Sequence, residues 1–270
     1  MASKLPYKID THVHMLPPAY RQACIDNGHA NPDGMPYLPE WDPETHLALM
    51  DDLNIQKAIL SVSSPGTHLV AGNDALAAKV TREANSYAAA LKKRLPERFG
   101  YFASLPIPAV DVCLREIEQA SQEGCDGFVM LTNGHGIYVG DPSLDAIFDE
   151  LNRRHATVFF HPSTPRCPCS PADAAAGQTP VNATPFAGYY PNPMMEFLFD
   201  TARAMTNLFL SGTVRRCPDI QFIFSHCGGA FPGLLSRVTI YASLVPVPWT
   251  GVSEEEAREA MKKQVWFDLA

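Results

Sequence analysis

The sequence has no cluster of basic residues and no long apolar run, and each absence closes a class of function. Lysine and arginine total 21 against 29 aspartates and glutamates, a formal charge of −8, with a pI near 5.5. Nucleic acid and anionic membrane are therefore not expected as partners. No stretch approaches the roughly 18 apolar residues of a membrane span. Met1 to Lys8 carries no apolar signal segment. The seven cysteines are odd in number and follow no regular spacing. Free thiols in a reducing, cytoplasmic compartment are expected rather than a disulfide framework. The sequon Asn182-Ala183-Thr184 is then unused. No G-x-G-x-x-G follows a β-prone run, which counts against a dinucleotide-binding fold.

What is present is a steady alternation. The 270 residues, 46% of them hydrophobic, suffice for one core of barrel size. Strands are expected at Lys8–Val13, Lys57–Val62, Phe99–Leu105, Gly127–Leu131, Ala156–Pro162, Ile220–His226 and Gln264–Leu269. Helical segments lie between them. Asp42-Pro43-Glu44 and Asp141-Pro142 carry an N-cap followed by proline at the first helical position. Ser253-Glu254-Glu255-Glu256 is a capping box. Residues 15–41 and 162–192, rich in proline, read as long loops. Apolar strands alternating with helices predict a parallel sheet with right-handed crossovers. The expected fold is α/β, a (β/α)₈ TIM-type barrel in a single domain over residues 1–270. Seven β/α steps leave it one short of closure, as if the chain were incomplete at its C-terminus.

Histidines gather where such a barrel does chemistry, at the C-terminal ends of strands. His12 and His14 end the first strand, two apart and so on one face. His161 ends the fifth strand and His226 the sixth. Neutral imidazoles converging from separate strands suit a divalent metal. His46 and His155 fall on helices, where surface roles are expected. His29, His68 and His135 fall in loops and are expected to be solvated, with pocket lining the alternative for the last two, which follow strands two and four. Cys167-Pro168-Cys169 has the look of a ligand pair but lacks companions. Phe186, Tyr189, Tyr190 and Trp41 sit in the long loops, to stack on a planar substrate or to pin the loops down.

The segments Asp10-Thr11-His12-Val13-His14, Phe160-His161-Pro162 and Ser225-His226-Cys227-Gly228-Gly229-Ala230-Phe231-Pro232, with Arg237 beyond, resemble the amidohydrolase superfamily. More narrowly they resemble its decarboxylases of the aminocarboxymuconate semialdehyde type. The resemblance implies that His12, His14 and His161 bind one divalent metal, zinc first and manganese second, with no organic cofactor. It implies a catalytic role for His226 and contact of Arg237 with a substrate carboxylate. It implies a homodimer acting on a small aromatic, salicylate-type acid and releasing carbon dioxide. The family's further aspartate ligand lies on an eighth strand. Asp268, on the seventh, is not its equivalent.

Two other functions compete. One is a hydrolase of a lactone or amide with metal-activated water. The end of strand four, Leu131-Thr132-Asn133, lacks the lysine of binuclear hydrolases, which tilts the reading away from it. The other is an inactive, truncated homologue.

Overall fold

The computed structural model describes residues 7–167, 180–245 and 252–270. Eleven strands run in chain order: β1 (Ile9–His14), β2 (Lys57–Ser61), β3 (Phe99–Ser104), β4 (Gly127–Leu131), β5 (Asn133–Gly134), β6 (Ile137–Tyr138), β7 (Thr157–His161), β8 (Arg166–Cys167), β9 (Val181–Asn182), β10 (Gln221–Phe224) and β11 (Val265–Phe267). Seven form one parallel sheet in the order β1-β2-β3-β4-β7-β10-β11. These are the seven strands expected from the apolar runs, and neighbours in sequence are neighbours in the sheet.

Side-chain alternation divides the sheet into two faces. Val158 and Phe160 of β7 turn outward into the main core, as do Phe128 and Met130 of β4 and Phe222 and Phe224 of β10. There they meet apolar faces of the surrounding helices, such as Ile117, Phe148, Leu151, Met205 and Leu208. Phe160 stacks on Phe224 with ring centres 4.9 Å apart. Burying each such ring contributes about 1.5–3 kcal/mol. The intervening residues Ile59, Phe102, Val129 and Phe159 turn inward and make a second, smaller cluster with Ile223 beside it. This inner layer is the barrel's filling. One pleat further along, the same inward face carries Ser104, Leu131 and His161 to the C-terminal rim.

The expected helix starts hold. Asp42 Oδ1 accepts from the Thr45 N–H at 2.7 Å, and Ser253 with Glu256 forms the capping box. Residues 15–41 are not wholly loop. Pro18–Asp26 is a helix, with proline at its start, where its missing N–H costs nothing. Tyr20 and Cys24, one turn apart, are its buried side, and the Tyr20 hydroxyl donates to the Gly66 carbonyl at 2.9 Å. The two-residue pairs β5–β6 and β8–β9 interrupt the loops after β4 and β7. Cys169 lies outside the described residues, and Cys167 is exposed. Six cysteines, Cys24, Cys113, Cys125, Cys167, Cys217 and Cys227, are free thiols. No described helix is long and apolar enough to cross a membrane.

Candidate metal and substrate site

β1 delivers its two histidines through an irregularity. Its register against β2 steps from Asp10↔Ala58 to Val13↔Leu60, one residue more on β1 than on β2. That is a bulge, a common device for aiming side chains beside active sites. The Asp10 carboxylate accepts from the His12 N–H at 2.9 Å, giving that backbone donor a partner. The His12 and His14 rings then face the same way, with Nε2 atoms 3.0 Å apart. His14 Nε2 lies 3.1 Å from His161 Nε2. The expected three-histidine convergence is present.

Hydrogen bonding fixes two of the tautomers. His12 Nδ1–H donates to Asp268 Oδ2 at 2.8 Å, and His161 Nδ1–H donates to the Pro162 carbonyl at 2.7 Å. Carboxylate and carbonyl only accept, so both Nε2 atoms carry lone pairs into the cluster. His161 is held well below its ordinary pKa, first by burial and then by His14 and His12. His14 is pushed down to about 3 by desolvation, then by His12 and His226. Its outer face is open to solvent, but its ring nitrogen is crowded by the other imidazoles. Neutral imidazoles in this arrangement suit a metal. Tetrahedral bonds of about 2.0–2.1 Å would space nitrogens about 3.3 Å apart, close to what His12, His14 and His161 show.

His226 stands at the same rim. His12, His161 and His226 each offer a nitrogen within 4.8 Å of the others'. The backbone from His226 to Gly229 runs through four consecutive positive φ angles of 54°, 54°, 76° and 58°. Glycine is required at the last two for a second reason. A Cβ on Gly228 would meet Phe267 Cε1 at 2.5 Å, and one on Gly229 would run into the Leu198 carbonyl oxygen. The His226 N–H donates to Asp268 Oδ1 at 2.8 Å. His226 Nδ1 is buried and has no hydrogen-bond partner among the described residues.

Asp268 is therefore the residue that sequence reasoning missed. It sits just past β11, on the seventh strand as expected. Yet one carboxylate oxygen orients His12 and the other tethers the His226 backbone, and its side chain is only 6% exposed. The end strands β1 and β11 share no backbone hydrogen bond among the described residues, so this side chain joins the two ends of the sheet.

Arg237 is not brought to the cluster. It is exposed on the helix Phe231–Leu244, its guanidinium 4.5 Å from the centre of the Tyr241 ring. Over β2, β3, β4 and β7 opens a cavity of about 380 Å³. Its described lining holds none of His12, His14, His161 and His226, but Leu131, which lines it, is the register partner of His161. Val62, Leu105, Val129 and Leu131 supply its apolar wall, and Ser104, Asn133 and Ser163 polar points. His68 and His135 line it, as their positions after strands two and four suggest. Trp41, Phe186, Tyr189 and Tyr190 do not. Phe186, Tyr189 and Tyr190 are exposed, and Trp41 packs edge-on against Tyr87. They serve the loops rather than the cavity.

A parallel α/β barrel with histidines converging at its C-terminal rim is the architecture of a metal-dependent amidohydrolase. The amidohydrolase family model matches residues 9–262, and the chain belongs to that family. The decarboxylase yanB of Aspergillus niger is 37% identical over 97% of this chain and 69% of its own length. The 6-methylsalicylic acid decarboxylase acuB of Aspergillus aculeatus is 34% identical over 97% of this chain and 76% of its own. Among solved structures, an amidohydrolase II superposes with a TM-score of 0.81 at 31% identity, covering 97% of this chain and 78% of that one. The 5-carboxyvanillate decarboxylase of Novosphingobium aromaticivorans, complexed with manganese, superposes with a TM-score of 0.78 at 21% identity, covering 97% and 78%, a likeness of fold.

Proposed function

We propose that this chain is a metal-dependent, non-oxidative decarboxylase of a small aromatic carboxylic acid of the salicylate type. The observation that carries the reading is the convergence of lone-pair nitrogens from β1 and β7 beside a cavity sized for one aromatic ring. The decarboxylases it resembles along most of its length support it. His12, His14 and His161 would hold one divalent ion. An all-nitrogen donor set favours zinc over manganese, which prefers oxygen. Such an ion supplies Lewis acidity toward a carboxylate and an ortho-hydroxyl and offsets charge that builds up on them.

The chain's own residues do the rest. The cavity wall holds the ring and excludes water. His226 presents its unpartnered Nδ1 at the rim and delivers a proton to the ring carbon bearing the carboxylate. The bond to the carboxylate then breaks. Its electron pair restores the aromatic ring, and carbon dioxide leaves. Asp268 is a positioning residue, acting through His12 and the His226 backbone. No organic cofactor is needed. We read residues 1–270 as one barrel domain that assembles as a homodimer in the cytoplasm. Arg237 stands with exposed Leu234, Ile240 and Tyr241 on one helix, a face suited to self-association, from which it would contact a carboxylate in the partner's site.

Elemental analysis alongside carbon dioxide release from a panel of hydroxybenzoates tests the reading. About one ion per chain and release of carbon dioxide are expected, both lost in His161→Ala. Stoichiometric metal with no release from any hydroxybenzoate refutes the salicylate-type substrate, and absence of both refutes the enzyme.

A further inference from the structure

A second group of histidines lies in the cavity, away from the metal cluster, and its hydrogen bonds form a chain with a defined direction. Arg166 Nη1 donates to His135 Nδ1 at 3.2 Å. A guanidinium has no acceptor, so His135 Nδ1 carries the lone pair and its proton sits on Nε2. That Nε2–H faces the His68 carbonyl at 2.9 Å and His68 Nδ1 at 2.9 Å. Both are acceptors, so the His68 proton is on Nε2, which donates to Asp74 Oδ1 at 3.0 Å. The relay runs from Arg166 to Asp74 through two neutral imidazoles.

The consequence is a cation with no anion beside it among the described residues. Among the described residues no carboxylate lies within salt-bridge distance of Arg166, which is held by a neutral ring instead. Among the described residues Asp33 is the one carboxylate lining the cavity, and it is engaged by the Thr164 N–H at 3.1 Å and the Thr164 hydroxyl at 2.6 Å. His135 is itself at φ 52°, a left-handed conformation for a non-glycine residue, at the tip of the β5–β6 turn. Backbone strain of this kind collects at ligand-binding positions. Two more cavity-lining side chains point the same way. Ser104 is 4% exposed and Asn192 5%, and Ser104 Oγ and Asn192 Oδ1 have no hydrogen-bond partner among the described residues. Buried polar atoms left this way call for a ligand or water.

We propose that Arg166, held by the His135–His68–Asp74 relay, is a specificity-determining residue that receives a second anionic group of the substrate, a ring carboxylate beyond the one that reacts. The cavity adjoins the metal cluster through the β7 end, where Ser163 lines it two residues after His161, at most about 7 Å along the backbone. One substrate ring can thus span from the histidines into the cavity. The inference rests on the decarboxylase reading for the identity of the reacting carboxylate, but not for the binding of the second one.

The test compares salicylate with 4-hydroxyisophthalate, a salicylate bearing a second carboxylate. Binding is measured by calorimetry on the zinc-loaded and the metal-stripped full chain, and turnover by carbon dioxide release. The parent is expected to bind the dicarboxylate at least about tenfold more tightly than salicylate, the worth of one charge-assisted contact. Arg166→Gln should remove that preference and leave salicylate affinity unchanged, while Arg166→Lys retains part of it. Equal affinity of the parent for both acids overturns the proposal, as does an Arg166→Gln variant that keeps the preference. A parent that binds the dicarboxylate tightly but releases no carbon dioxide from either acid leaves the subsite standing and removes the decarboxylase reading.

Discussion

Asp268→Asn separates the role of this carboxylate from its shape. Every group that meets the Asp268 carboxylate is a donor: His12 Nδ1–H at Oδ2 and the His226 N–H at Oδ1, each at 2.8 Å, and the Ala270 N–H at Oδ1, at 3.2 Å. An amide has one acceptor oxygen and one donor nitrogen, so only the donors on one side of it are satisfied. If the amide nitrogen faces His12, the imidazole accepts there only by moving its proton to Nε2, which removes the lone pair that points at the metal. If it faces His226 instead, a backbone donor is left against another donor, and the turn carrying His226 shifts. Loss of the carboxylate that orients a metal-binding imidazole weakens metal binding about 10–100-fold, or about 1.4–2.8 kcal/mol at 1.4 kcal/mol per tenfold. The assay is competition for zinc against a chromogenic chelator at pH 7, with circular dichroism to confirm folding. Asp219→Asn is the control. Its carboxylate is half-exposed, 3.7 Å from an exposed His155 far from the cluster, and should leave affinity unchanged. If Asp268→Asn binds zinc within about twofold of the parent, Asp268 does not set the His12 tautomer and the reasoning fails.

Gly229→Ala should destabilise the fold by about 1–3 kcal/mol, because it places a Cβ at φ 58° and against the Leu198 carbonyl. Gly233→Ala, with nothing within 4 Å, should leave the melting temperature within a degree or two. Phe159→Ala empties the inner layer beneath His12, whose ring centre lies 5.3 Å away, and should cost about 3–5 kcal/mol in urea unfolding. Asp200 is fully buried, with Thr132 and Tyr138 as hydroxyl partners, and burial raises its pKa above the usual 3.8. A raised folded-state pKa gives stability that is full below the unfolded value and lost as pH rises through the folded one. The stability of Asp200→Asn relative to the parent should therefore improve as pH rises from about 4, and a flat difference across denaturation series at several pH values refutes the assignment.

Most of the barrel was legible because its strands are buried on both faces. Phe128-Val129-Met130 and Val158-Phe159-Phe160 read as apolar runs whichever face each residue takes. The capping signals at Asp42 and Ser253 are local chemistry and needed no tertiary context. The helix Pro18–Asp26 was lost among prolines because its evidence is tertiary. Tyr20 and Cys24 mark a buried side only once the Gly66 carbonyl is known to lie above them. The β5–β6 and β8–β9 pairs are two residues each, too short for any periodicity to register.

The site divides along the same line. A candidate metal ligand announces itself by residue type, so the convergence of His12, His14 and His161 could be read from strand ends alone. A residue that acts through another carries no such mark. Asp268 was placed on the right strand and set aside as a ligand; its oxygens face Nδ1 of His12 and the backbone N–H groups of His226 and Ala270. What strand order could not reveal is that a side chain past β11 reaches across to β1, two elements that share no ladder among the described residues. That single contact couples the sheet's two ends to the protonation state of the first histidine. Any displacement of β11 relative to β1 must therefore appear as a change in His12, and metal affinity becomes a direct reporter of how the barrel's ends are held together.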